Sequence, residues 1–155
     1  MDLLQQRVVQ FYSRYNIALD DLALEQWSEM FAEQCLYRIV ARENWEADMP
    51  LSTMHCSSKG MLRDRVKGIR QTMMYAPRTC RRFISSILIT DHSADAIQVR
   101  SSFVCIQTLV DEPSEVAFCG VAFDRFIDQH DELLLSERVC VLDTEMIPNS
   151  LIFPL

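Results

Sequence analysis

Four runs after Pro77 decide how this chain folds: RRFISSILIT (Arg81–Thr90), AIQVRSSFVCIQTLV (Ala96–Val110), EVAFCGVAFDRFI (Glu115–Ile127) and ELLLSERVCVLDT (Glu132–Thr144). All four are rich in the β-branched and aromatic residues that favour strands. They are joined by short polar connections, DHSAD (91–95), DEPS (111–114) and DQHD (128–131). Consecutive strands with joints this tight predict an antiparallel meander. Gly120 falls inside the third run, where a bend or the close approach of another backbone is the usual reason for a glycine.

Towards the N-terminus the period changes. Leu4, Val8, Phe11, Tyr15 and Leu19 are spaced by three or four, which predicts an amphipathic helix over residues 2–18. Asp20 and Asp21 offer an N-cap for a second helix with Leu24, Trp27, Met30 and Phe31 on one face. CLYRIVAR (Cys35–Arg42) alternates and predicts a strand, while residues 43–56 read as a loop holding at most a short strand. Ser57 or Ser58 can cap a third helix whose buried stripe is Leu62, Val66, Ile69 and Met73. Helices first and a curved antiparallel sheet afterwards predict an α+β fold, with the helices packed on one face of the sheet. Without linker, repeat or low-complexity segment, residues 1–155 read as one domain.

On the other side of the four runs the sequence finishes on MIPNSLIFPL (Met146–Leu155), and residues 151–155 contain no polar side chain. Chain ends are usually polar and frayed. Such a segment either folds back into its own core or is covered by another subunit.

Hydrophobic residues at 49% and charged residues at 24% are globular values. No apolar run approaches the roughly 20 residues of a membrane span, and MDLLQQRVVQFYSRYN lacks the features of a signal peptide, so the expected address is the cytoplasm. Six cysteines are scattered singly, without a CxxC pair, and read as small buried hydrophobes rather than a disulfide framework. Net charge is −7, unevenly spread: Lys59–Arg82 holds eight basic residues and one acidic, leaving seven basic and 21 acidic for the rest. That polarity suits a complementary protein surface. The acidic balance and the lack of aromatic residues among the arginines before Tyr75 argue against nucleic acid.

Catalytic motifs are scarce. The three histidines, His55, His92 and His130, have no helical zinc spacing, and His55-Cys56 is the only close Cys–His pair, half of what a Rieske cluster requires. There is no GxSxG, and three glycines cannot build a phosphate cradle. A pocket could still move protons with a desolvated carboxylate and a tyrosine; Asp64, Tyr37 and Arg38 are the best material. The plainer readings are a surface ion pair for Asp64, among Arg63, Arg65 and Lys67, and aromatic core packing for Tyr37 with its hydroxyl at the edge. Arg63, Lys67 and Arg70 share a helical face and read as solvated; Arg78, Arg81 and Arg82 stand where the chain enters the sheet, placed for a partner contact or for solubility.

Read in order, EQWSEMFAEQCLYRI (25–39), MLRDRVKGIR (61–70), PRTCRRFISSILI (77–89), FCGVAFDRF (118–126), ERVCVLDT (137–144) and the LIFPL ending resemble the small (beta) subunit of bacterial aromatic-ring-hydroxylating oxygenases, nearest the branch acting on aromatic carboxylates. The resemblance implies a cone-shaped fold like nuclear transport factor 2 and scytalone dehydratase. It implies a structural subunit without catalytic, cofactor-binding or metal residues, forming a trimer and assembling with a large (alpha) subunit as three large plus three small. That large subunit would carry the Rieske iron–sulfur cluster and the mononuclear iron, supplied with electrons by ferredoxin and reductase components. Arg65 and Arg81 match the family pattern, whereas Arg82 stands where the family commonly has histidine. The expected subunit interface is Arg65, Arg81, Arg82, Phe153 and Leu155. Two other readings stay open: a stand-alone cone-fold dehydratase or isomerase using Asp64 and Tyr37, and a homo-oligomeric adaptor.

Overall fold

The computed structural model describes residues 2–72, 74–147 and 151–155. The first helix, α1 (Leu3–Asp20), buries Val8, Phe11, Tyr12, Tyr15, Ala18 and Leu19 along one stripe. It is followed by α2 (Leu24–Glu29), shorter than its apolar pattern suggests, because Phe31 already opens strand β1 (Phe31–Ala41). No side chain caps α2. Asp20, expected as its cap, instead receives the Arg82 guanidinium at 2.6 Å and the Arg82 backbone N–H at 3.1 Å. Within the expected loop stand a one-turn helix α3 (Arg42–Glu46) and a short strand β2 (Met54–Cys56). Helix α4 (Lys59–Gln71) begins as expected at Ser58, whose hydroxyl accepts the Met61 N–H. Leu62, Val66 and Ile69 form its buried stripe; Met73 lies outside the described residues.

The four runs become β3 (Arg78–His92), β4 (Ile97–Leu109), β5 (Glu115–Gln129) and β6 (Glu132–Leu142), joined as the expected meander. His130 and Asp131 both take positive φ, 53° and 64°, which gives the β5–β6 hairpin a two-residue turn of the hand that suits strand twist. Arg7 of α1 clasps that turn, donating to Asp128 at 2.7 Å and to the Asp131 carbonyl at 2.9 Å. Gly120 answers the close-approach reading: a Cβ there would lie 1.9 Å from the Val141 carbonyl oxygen.

The sheet order is β2-β1-β6-β5-β4-β3, and β1 runs parallel to β6. This one neighbour departs from the antiparallel expectation, since periodicity along a strand carries no information about its direction. The long helical return from β1 to β3 leaves β1 free to lie either way, whereas hairpins force alternation. One face of the sheet carries α1, α2 and α4 over the main core, including Trp27, Phe31, Tyr37, Phe103 and Phe126. The opposite face holds a small cluster of Val40, Val139 and Val141 with Phe123, over which Trp45 of α3 stacks at 5.2 Å. Phe83 and Leu88 on the edge strand β3 stay 54% and 58% exposed. The cysteines are free; Cys119 is exposed and Cys80 half-buried, so the buried-thiol reading holds for Cys35, Cys56, Cys105 and Cys140 only. No helix among the described residues is long and apolar enough to cross a membrane.

Candidate functional site

Strand register puts an unusual set of polar side chains on the helix-covered face. Arg138 of β6 stands beside Tyr37 of β1 on one side and Asp124 of β5 on the other. In phase with it along β6 come Cys140 and Leu142, both facing the main core. A charged side chain at such a position must find partners, because an unpaired buried charge is very costly. Arg138, 1% exposed, has them. Its Nη1 donates to Asp124 Oδ2 at 2.6 Å, and the same oxygen accepts the Tyr12 hydroxyl at 2.6 Å. The guanidinium lies over the Tyr15 ring at 4.6 Å, a favourable contact between cation and π-face.

Into this arrangement comes the segment 151–155. The backbone oxygen of Leu155 accepts from the Tyr15 hydroxyl at 2.8 Å, the Tyr37 hydroxyl at 3.2 Å, Arg138 Nε at 3.3 Å and the Cys140 thiol at 3.9 Å. The Leu155 N–H donates to the Tyr37 hydroxyl at 2.8 Å. Upstream, Arg82 Nη2 donates to the Pro154 carbonyl at 2.8 Å, and Arg65 Nη2 to those of Leu151 and Ile152 at 2.7 and 3.3 Å. Three arginines and two tyrosines thus hold main-chain oxygens of the segment. Its apolar side chains supply the remaining contact: Leu155 is 4% exposed, and Phe153 packs edge-on against Tyr75 at 4.9 Å. Next to the segment a cavity of about 250 Å³ is lined by Arg78, Cys80, Arg82, Phe118 and Ile152.

The electrostatics follow from burial. Desolvation pushes the Tyr37 and Tyr15 hydroxyls well above their ordinary range and the Cys140 thiol up to about 11, so all three keep their protons and act as donors. Burial also lifts the Asp124 carboxyl, against the pull of Arg138 and Tyr12. For Arg138, burial pulls downward, but Asp124 and its neighbours outweigh it and hold the guanidinium charged. At the cavity wall, the hydrogen bond from Cys105 together with Arg82 and Arg78 brings the Cys80 thiol down to about 6.

Of the residues expected from sequence, Arg65, Arg82, Phe153 and Leu155 meet around this segment, while Arg81 stands exposed, its side chain making no hydrogen bond or ion pair among the described residues. The tail folds back into its own core. Tyr37 is fully buried rather than offering its hydroxyl at an edge. Asp64 lies exposed on α4 and makes no ion pair among the described residues. The structure therefore does not bring Asp64 and Tyr37 together, which removes the geometry that a dehydratase or isomerase built on that pair requires. Arg38 donates to Ser52 at 2.9 Å, away from the clasp. Arg138, Asp124 and Tyr12 were not singled out in the sequence, and Tyr15 was named only in the apolar stripe of the first helix. A signal existed: Arg138 and Asp124 are opposite charges in the inward phase of two strands joined by a tight hairpin. Among the described residues no three His, Cys, Asp or Glu side chains converge as a metal site.

A family model described as ring hydroxylating beta subunit matches residues 16–149. The small subunit of anthranilate 1,2-dioxygenase from Burkholderia cepacia is 33% identical over 143 residues, covering 92% of this chain and 89% of the relative. Among solved structures, a protein from Novosphingobium aromaticivorans described as the beta subunit of an aromatic-ring-hydroxylating dioxygenase superposes with a TM-score of 0.91 at 34% identity. That match covers 99% of this chain and 97% of the other. A protein of the same organism described as a scytalone dehydratase, 17% identical with a TM-score of 0.72 over 92% of this chain and 85% of its own, shares the cone-shaped fold alone.

Proposed function

Because this chain belongs to the ring hydroxylating beta subunit family, we propose that it is the non-catalytic structural small subunit of a multicomponent oxygenase that opens the degradation of an aromatic carboxylate. The observation that carries the non-catalytic reading is the clasp. Among the described residues, Tyr15, Tyr37, Arg138, Arg82 and Arg65 direct donors at the chain's own residues 151–155 rather than into an open pocket. The relative acting on anthranilate, an aromatic carboxylate, supports the substrate class.

In this reading the large subunit holds the Rieske cluster and the mononuclear iron. Three large and three small subunits assemble, ferredoxin and reductase deliver electrons to the complex, and the assembly works in the cytoplasm. The small subunits form a trimer through the sheet face opposite the helices, where Phe83 and Leu88 are available for cover. Of the candidate interface residues, Arg81 shares that face with Phe83, while Arg65, Arg82, Phe153 and Leu155 lie with the tail on the helix-covered side. Arg81, exposed, with no side-chain hydrogen bond or ion pair among the described residues, touches the neighbour directly, and the others act on assembly by holding residues 151–155 in place. Light scattering on the purified chain, alone and after co-expression with a large subunit, tests this, with iron assayed in each peak. An iron-free trimer that becomes a larger iron-containing complex is the expected result. A monomer indifferent to the large subunit would overturn the reading.

A further inference from the structure

We infer that the cavity of about 250 Å³ between the ends of β3, β4 and β5 and residues 151–153 binds a small organic anion. Its ligand is a monocarboxylate with a compact apolar body, held through the carboxylate by Arg78 and Gln107. This goes beyond the structural-subunit reading and does not depend on it.

The donors follow from strand register. Arg78, Cys80 and Arg82 alternate along β3, while Cys80 pairs with Gln107 and Arg82 with Cys105 on β4, so these side chains share one cavity. Arg78 is half-buried, and its partners are neutral. Its Nη1 donates to the Gln107 side-chain oxygen at 3.2 Å and its Nε to the Ala76 carbonyl at 3.2 Å. Among the described residues, neither Arg78 Nη2 nor the Gln107 amide nitrogen has an acceptor, and no carboxylate pairs with Arg78. A guanidinium nitrogen next to an amide N–H suits the two oxygens of one carboxylate.

The surrounding charge fixes the sign of the ligand. No acidic side chain lines the cavity, and Arg82 adds a second cation to its wall. Arg82 is joined to Asp20 at 2.6 Å, but its buried Nε finds no acceptor, so donors exceed acceptors here. Cys80 reports the resulting field. After the hydrogen bond from Cys105, Arg82 and Arg78 lower its thiol against a smaller opposite pull from Asp20.

The remaining wall fixes the ligand's body. Phe118 of β5 with Ile152 and Phe153 makes it apolar, and a mostly apolar lining with a few convergent donors is how small-molecule sites are built. The volume suits a single ring or a short branched chain. Arg78, Cys80, Phe118 and Phe153 are all partly exposed, so a ligand arrives from solvent while residues 151–155 stay where they are.

Benzoate is the probe, benzamide its uncharged counterpart of the same shape, and inorganic phosphate a charge without an apolar body. In amide NMR spectra of the full chain, benzoate should shift the Gln107 side-chain amide and the Phe118 N–H saturably, half-complete at about 1 mM. Benzamide and phosphate should bind about tenfold more weakly or worse, and Arg78→Gln should cost benzoate about tenfold. Saturating benzoate should also slow iodoacetamide at Cys80 and leave exposed Cys119 reacting as before. Equal binding of benzamide or phosphate, an Arg78→Gln chain that binds like the parent, or an unchanged Cys80 rate at saturation would overturn the proposal. So would shifts confined to residues outside the cavity, or none at roughly twenty times that concentration. Should Arg78→Gln not fold, Gln107→Met removes the amide donors at similar length, and unchanged benzoate affinity there overturns the proposal equally.

Discussion

Between Lys59 and Arg82 the chain carries eight basic residues, and the fold divides them between two environments. Lys59, Arg63 and Arg70 reach across to the carboxylates of α2, meeting Glu29 at 3.0 and 2.9 Å and Glu25 at 2.9 Å. The Arg63 and Arg70 pairs are open to water, with side chains 42% to 66% exposed. Arg65 and Arg82 turn the other way and, with Arg138, hold backbone oxygens of residues 151–155 in the interior. Water screens the Arg63 and Arg70 pairs, and such exposed pairs contribute little. Arg82 and Arg138 work where little water competes, 7% and 1% exposed, so each donor lost there leaves a dry acceptor unpaired. The same residue type therefore stabilises strongly in one place and weakly in the other, and environment rather than charge decides.

The largest effect is expected at Arg138. Arg138→Met strands the buried Asp124 carboxylate and should cost about 3–5 kcal/mol in urea unfolding. Replacing Asp124 as well, with Leu, should recover a large part of that, because two apolar side chains leave no stranded charge. A single variant as stable as the parent would break the contrast between inner and outer arginines.

Next comes the segment itself. Leu155→Ala deletes an almost fully buried side chain and should cost about 2–3 kcal/mol, while half-buried Phe153 should cost less. Deleting residues 151–155 should lower both Tm and assembly with the large subunit. A truncated protein with unchanged mass and melting temperature would show that the clasp stabilises nothing.

How far all this was legible differs by element. The meander, α1 and α4 are plain in the sequence because periodicity and turn residues are local signals, and of the two readings open at Gly120, a bend or a close backbone approach, the structure shows the second. The parallel partnership of β1 and β6 was not, because strand direction there depends on a long return path. The clasp was half legible. The apolar tail announced that something must cover it, but what receives it is assembled from α1, β1, β3, α4 and β6, residues more than a hundred positions apart. Asp20 shows the same limit. Its local context says N-cap, and a distant guanidinium at 2.6 Å overrides it.

The inner arginines also act on a neighbour. Cys80 at the cavity wall is brought down to about 6 by Cys105, Arg82 and Arg78, so it ionises more readily than an ordinary thiol. The thiol of exposed Cys119 is pushed up by burial and by Asp143. Iodoacetamide followed by peptide mass analysis should find Cys80 modified first at pH 7 despite its poorer access, by about tenfold, or about 1.4 kcal/mol in barrier. Faster labelling of Cys119 would mean that access outweighs the arginine field.

The smallest effect belongs to the outer pairs, and pH exposes it. The hydrogen bond from Arg70 holds the Glu25 carboxyl down at about 2, from an ordinary 4.5. A depressed folded-state value means that the unfolded chain binds the proton more readily. The stabilisation is therefore complete above the ordinary value and is lost as pH falls through 4.5 towards 2. Because Glu25 is exposed, its size is that of a screened surface pair, about 0.2–1 kcal/mol rather than what the shift alone would suggest. Arg70→Gln should lower Tm slightly at pH 6, and the difference should close by pH 2 and shrink in high salt. The Leu155→Ala deficit, resting on apolar burial, should persist across the same salt series. If Arg70→Gln instead costs as much as Arg138→Met, then water does not separate the two sets of arginines, and the division between inner and outer faces fails.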